Sequence, residues 1–184
     1  MSQEQVLQHR QEKQHLFEYF VVQLERWKEM VSTSTGRPFS KLQLQKLLFL
    51  ISAYNATTEC HPMLDFFDRF YALKYGPVEM DIYDAMAQDS FEALSFGDRF
   101  CDIHTDNLAF FDTIPIAQKT MVDNAIGELK ERYPKYILKE PFELVDITHG
   151  WTAWQIAMLI ADMSNSRMER MSTTDICNST HKLF

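Results

Sequence analysis

Apolar positions along the chain fall into blocks of different period. Leu16, Phe17, Phe20, Val21, Leu24, Trp27 and Val31 recur at steps of one, three and four, which predicts a helix with one apolar stripe ending near Val31. Residues 2–14 before it are mostly Gln, Glu, His, Lys and Arg, with Val6 and Leu7 as their apolar pair, and read as a solvated or frayed end. Ser, Thr, Gly and Pro between Ser32 and Pro38 mark a loop. Ser40 and Gln43 then stand in capping-box spacing at the head of Leu42, Leu44, Leu47, Leu48, Leu50, Ile51 and Tyr54. Those positions nearly encircle a helix axis, so this helix belongs at the centre of a core.

Further on, the aromatic cluster Phe66, Phe67, Phe70 and Tyr71 is too short to separate strand from irregular structure. Tyr75-Gly76-Pro77 is a turn signal, with Pro77 suited to a first helical position, and residues 78–87 read as a short helix with Met80, Ile82, Tyr83 and Met86 inward. Residues 90–112 alternate weakly around Gly97 and Asp98, as a loop or short hairpin does. Thr113 as N-cap, Pro115 in the first turn and the stripe Val122, Ile126, Leu129 and Tyr133 predict a helix ending near Pro134. Pro141 opens another, and the sets Leu144, Val145, Ile147 and Trp154, Ile156, Ala157, Leu159, Ile160 suggest two helices meeting at Gly150.

Composition narrows the class. The 184 residues suit one domain, and 46% hydrophobic against 24% charged residues, with 5 Gly and 6 Pro, describe a folded chain. A net charge of −8 makes a phosphate backbone an unfavourable partner, and no nucleic acid is expected. Cys60, Cys101 and Cys177 are too few and too scattered for a disulfide framework. Without a signal-like start or an apolar run of bilayer length, the chain reads as cytoplasmic with no membrane partner.

Candidate chemistry is sparse. The single scattered glycines form no phosphate loop, and no serine is flanked by glycine on both sides. Cys60-His61 and Cys101 with His104 could in principle meet on zinc, but buried cysteines and surface histidines explain them more simply, and neither metal nor cofactor is expected. A small hydrolase would have to use His149 with Asp146 and Cys101 or His104. A structural His149 where two helices meet is the plainer reading. Asp81 and Asp84 share a helical face and read as a solvated or protein-binding edge.

Three segments, in order, resemble the Panacea domain of SocA-like antitoxins, which also occurs in phage-associated proteins. They are 42–49, in which Lys46 precedes Leu47-Leu48; Tyr75-Gly76-Pro77-Val78 with Tyr83 beyond it; and Leu144 with Thr148-His149 and Trp154. Between His149 and Trp154 the family pattern has an acidic residue and a proline, where this chain has Trp151 and Ala153. The resemblance covers roughly residues 37–178.

It implies a mainly α fold, a single compact helical domain with a small β element, preceded here by an extra amphipathic helix. On that basis residues 1–36 are an N-terminal helix and loop, and 37–184 the Panacea-like domain. It also implies a non-enzymatic protein that neutralises a toxin by direct binding, in some members by delivering it to a protease; the alternative is a phage- or mobile-element-derived interaction or adaptor protein without a toxin. Lys46, Tyr75, Gly76, Pro77, Val78, Tyr83, Thr148, His149 and Trp154 are the motif residues, either touching the partner or holding the fold. Self-association, if any, is expected through the N-terminal helix, unless that helix packs on its own domain, the preferred reading.

Overall fold

The computed structural model describes residues 2–32 and 37–180, and its elements are mainly α-helical. Residues 33–36 of the expected loop lie outside the described residues. The chain divides into two compact units, Met1–Lys41 with Asp81–Leu138, and Leu42–Met80 with Lys139–Phe184. Among the described residues no helix is long and apolar enough to cross a membrane.

The first unit is built on α1 (Gln3–Val31), which starts a full thirteen residues before its apolar stripe. The polar segment expected to fray is therefore helical. Its Gln, Glu, Lys and Arg are good helix formers, Ser2 and Gln5 close a reciprocal capping box, and Gln8 donates to Glu12 one turn on (3.1 Å). Lys13 Nζ, fully buried, meets Asp81 Oδ2 at 2.8 Å, and Arg10 Nε meets Oδ1 of the same carboxylate at 3.2 Å. Leu16, Phe17, Phe20, Val21, Leu24 and Trp27 are all buried, as the stripe predicts. Trp27 Nε1 donates to the Pro134 carbonyl (2.9 Å), and Tyr19 Oη to Asp123 on α5 (Ile116–Arg132).

α5 buries Val122, Ile126 and Leu129, but its cap is Pro115 rather than Thr113, whose hydroxyl donates instead to the Phe110 carbonyl (2.6 Å). Tyr133 is half-buried at the C-cap, one step beyond the stripe. The ambiguous region 90–112 contains the hairpin of β3 (Leu94–Phe96) and β4 (Cys101–Ile103). Glu18 Oε1 accepts from the Ala93 N–H beside it (2.6 Å), and burial pushes this carboxyl up to about 7 against the pull of that hydrogen bond.

The second unit is centred on α2 (Lys41–Ala53), whose residues Leu44 to Ala53 are all buried, as its encircling pattern requires. Phe49 meets Phe70 and Trp151 edge-on at 5.4 and 5.1 Å. The aromatic cluster splits between α3 (Pro62–Phe66) and β1 (Phe70–Leu73). β1 pairs antiparallel with β2 (Gly76–Glu79) on one side and β5 (Glu169–Arg170) on the other.

Pro77 and Val78 thus lie in an edge strand, and the helix expected from residue 78 begins as α4 at Met80 and runs to Gln88. An edge strand tolerates proline, which has no N–H to give the ladder. α4 buries Ile82 and Met86 as expected but leaves Tyr83 47% exposed, since Tyr83 lies a third of a turn from Ile82. α6 (Pro141–His149) and α7 (Thr152–Met163) flank Gly150, with α8 (Thr173–Cys177) after β5.

Candidate functional site

The second unit assembles most of the motif residues around the β1–β2 hairpin. Its turn needs Gly76, which adopts φ +91°, a left-handed conformation that strains any residue with a Cβ. β2 is the outer strand, so the groups on its free edge have no neighbouring strand among the described residues. Side chains of α2 serve instead. Lys46 Nζ donates to the Pro77 carbonyl (2.7 Å), and Gln45 Oε1 accepts from the Glu79 N–H (3.0 Å), two residues along the same edge. A lysine and a glutamine on the central helix thereby replace a missing strand.

Lys46 is wholly inaccessible, and burial alone lowers its ammonium to about 7. Thr148, also buried, donates to the Val145 carbonyl one turn back (2.8 Å). A Cβ built on Gly76 would fall well inside contact distance of Thr148 Oγ1 and 3.1 Å from Lys46 Cε and Nζ. The glycine is therefore fixed twice, by its φ and by these two side chains.

Trp154, half-buried on α7, donates from Nε1 to the Leu73 carbonyl at the end of β1 (3.0 Å). Its ring stacks on His149 with centroids 3.9 Å apart and planes 12° from parallel. Burial is the main influence lowering the His149 imidazolium, with nearby Lys46 adding to it and Asp146 and the Lys74 backbone opposing. His149 Nε2 is buried with no hydrogen-bond partner among the described residues.

Lys46, Gly76, Pro77, Thr148, His149 and Trp154 thus form one bracket around the hairpin, with Val78 buried in the strand itself. Tyr83 belongs to the other unit. Tyr75, at the hairpin tip, is 52% exposed. Its ring meets Phe142, 63% exposed at the start of α6, edge-on at 6.2 Å, and Lys74 Nζ lies 5.4 Å from its centroid. Gln45 and Phe142 are the members of this site that the sequence reading missed. Gln45 follows the Leu of a run that looks uniformly helical, and Phe142 sits behind a helix-opening proline, where an aromatic passes for core.

The residues a hydrolase would need are divided. Asp146 and His149 lie in the second unit, and Cys101 and His104 in the first. Cys101 is buried and its thiol pushed up to about 12, chiefly by burial, which keeps it protonated and poorly nucleophilic. His104 Nε2 is engaged by Ser95 Oγ at 2.8 Å. His61 lies against the Thr57 carbonyl and Asp65. Each is explained locally.

A comparison with curated proteins and one with solved structures return no match. A family profile described as "Antitoxin SocA-like, Panacea domain" matches residues 44–155. That span runs from the first residues of the buried core of α2 through the hairpin and the Thr148-His149 turn to just past Trp154, taking in every member of the bracket, and the chain belongs to the SocA-like Panacea antitoxin family.

Proposed function

We propose that this protein is a cytoplasmic antitoxin that neutralises a partner toxin by direct protein–protein binding and not by catalysis, and that the corner formed by Tyr75 and Phe142 is part of its binding surface. Family membership supports the class. The observation that carries the surface is a division of labour within one motif. Lys46, Pro77, Thr148 and Trp154 spend their polar groups inside the protein, whereas Tyr75 is held out by them, half in water, against an equally exposed Phe142. Exposed aromatics on a rigid support lose little entropy on docking and recur as binding anchors.

The test is coexpression with the products of the neighbouring genes. An antitoxin restores growth against one of them and copurifies with it; rescue of neither overturns the functional reading. Tyr75→Ala with Phe142→Ala should weaken the complex at least about tenfold while leaving the melting curve in place. Unchanged affinity removes the corner from the interface and leaves the antitoxin class standing.

A further inference from the structure

α7 is inside out. Its buried residues are the small ones, Ala153, Ala157 and Ala161, one turn apart. Large apolar residues face water: Ile156 is 58% exposed, Leu159 63%, Ile160 48% and Met163 88%. The alanines bring the helix backbone close to its own unit, where Trp154 and the Thr152 hydroxyl, 2.9 Å from Ser179 Oγ, fasten its first turn. The exposed residues follow the spacing i, i+3, i+4, i+7, which is the seam one helix offers another. The face is preformed and apolar.

We infer that this face binds a second copy of the same chain, with the two α7 helices packed antiparallel about a two-fold axis. This goes beyond the antitoxin reading and does not depend on it. Three observations select the occupant. The first is area: at those exposures the four residues leave roughly 500 Å² of mostly apolar surface in water, the size of a monomer's largest and often functional patch. Complete burial of the four in both copies would remove about 1,000 Å², the least that a biological interface has to clear. The second is charge. The protein carries −8, which opposes self-association in general, yet Asp162 is the one charged residue in α7, so the seam brings little like charge together. The third is symmetry. A two-fold contact must be self-complementary, and this stripe is centred between Leu159 and Ile160. An antiparallel pair sets Leu159 against Ile160 of the other copy, beside the axis, and Ile156 against Met163.

The stripe of α1, the other helix with a long apolar face, is unavailable, because Leu16, Phe17, Phe20, Val21 and Leu24 have no exposed surface and Trp27 only 1%. Self-association through the N-terminal helix therefore lacks the surface it was expected to use.

The experiment is sedimentation of the purified full chain, alone, over a concentration series reaching about 100 μM. The wild type should be a dimer. Leu159→Glu should raise the dissociation constant more than about a hundredfold, with an unchanged melt at a dilution where both proteins are monomers, since the site is exposed in the monomer. Leu159→Lys should do the same, and mixing the two variants should restore a dimer, because residue 159 of each chain lies beside the axis and the two opposite charges become diagonal neighbours across it. A monomeric wild type at every concentration overturns the inference. So does a dimer that Leu159→Glu leaves intact, or a charge-reversed mixture that stays monomeric. A chain monomeric alone that loses toxin binding on Leu159→Glu overturns it too and gives the face to the toxin.

Discussion

Replacing Gly76 by alanine should be among the most damaging single-methyl changes in the protein. Two independent costs apply. At φ +91° an L-residue sits in the left-handed region, which costs roughly 1–2 kcal/mol. The new Cβ also meets Thr148 Oγ1 well inside contact distance and Lys46 at 3.1 Å. Lys46 is flexible but tied to the Pro77 carbonyl, and Thr148 is buried and tied to the Val145 carbonyl. Making room therefore breaks at least one buried hydrogen bond, about 1–3 kcal/mol when a group is left unsatisfied, or overpacks the site at a similar cost. Alanine returns about 0.4–1 kcal/mol by stiffening the unfolded chain. The balance is a loss of roughly 2–4 kcal/mol, a large share of the roughly 5–15 kcal/mol that holds a domain folded.

Urea unfolding measures this loss, and a double-mutant cycle with Thr148→Ala separates its parts. Removing Oγ1 should relieve the collision but leave the φ penalty, so the two substitutions should couple favourably by about 1 kcal/mol or more. A Gly76→Ala protein within about 0.5 kcal/mol of wild type, or a cycle that is additive, would refute the placement of Thr148 behind the turn.

Two further predictions concern stability. Glu18, raised to about 7, keeps its proton in the folded chain where the unfolded chain has lost it, so stability should fall as pH rises from 4.5 to about 7. Lys46, lowered to about 7, gives up its proton in the folded chain where the unfolded chain keeps it, so stability should rise from about 7 toward 10.5. Each limb has a slope of at most about 1.4 kcal/mol per pH unit, and together they place a minimum near neutrality. Urea titrations from pH 4 to 10 should show it, with Glu18→Gln flattening the acid limb and Lys46→Met the alkaline one; variants that keep both limbs contradict these assignments. Deleting residues 1–31 removes six buried large side chains worth roughly 1.5–3 kcal/mol each, together as much as a domain's usual margin or more. The truncated chain should lose its cooperative melt or aggregate, and a soluble, cooperatively melting product would show that α1 is not core.

How much was legible depends on what each residue's neighbours contribute. The stripe of α1 and the encircling pattern of α2 announce themselves because their large apolar side chains are buried there. The polar start of α1 does not, since its helicity rests on a cap and on propensity rather than on an apolar period. Residues 78–87 read as one helix because a four-residue hairpin arm is too short to show alternation before α4 begins. In α7 the apolar set was visible but its direction was not. Alanines that let two backbones approach look weaker, on any hydrophobic scale, than the isoleucines and leucine facing away from them.

Lys46 illustrates the same limit at the candidate site. Nothing local explains a lysine at a buried position of an apolar helix, because its reason is a carbonyl thirty-one residues away on an edge strand. An apolar residue there would fill the space but leave the Pro77 oxygen unsatisfied, at a cost of about 1–3 kcal/mol. A charged lysine would satisfy it but suffer desolvation. The lowered ammonium lets the protein have the donor without the charge once the pH exceeds about 7. Lys46→Met should accordingly be less stable than wild type in alkali, where a hydrogen bond is lost. It should approach or exceed wild type in acid, where a buried charge is removed. That crossing sets a positioned neutral donor apart from a lysine kept for its charge.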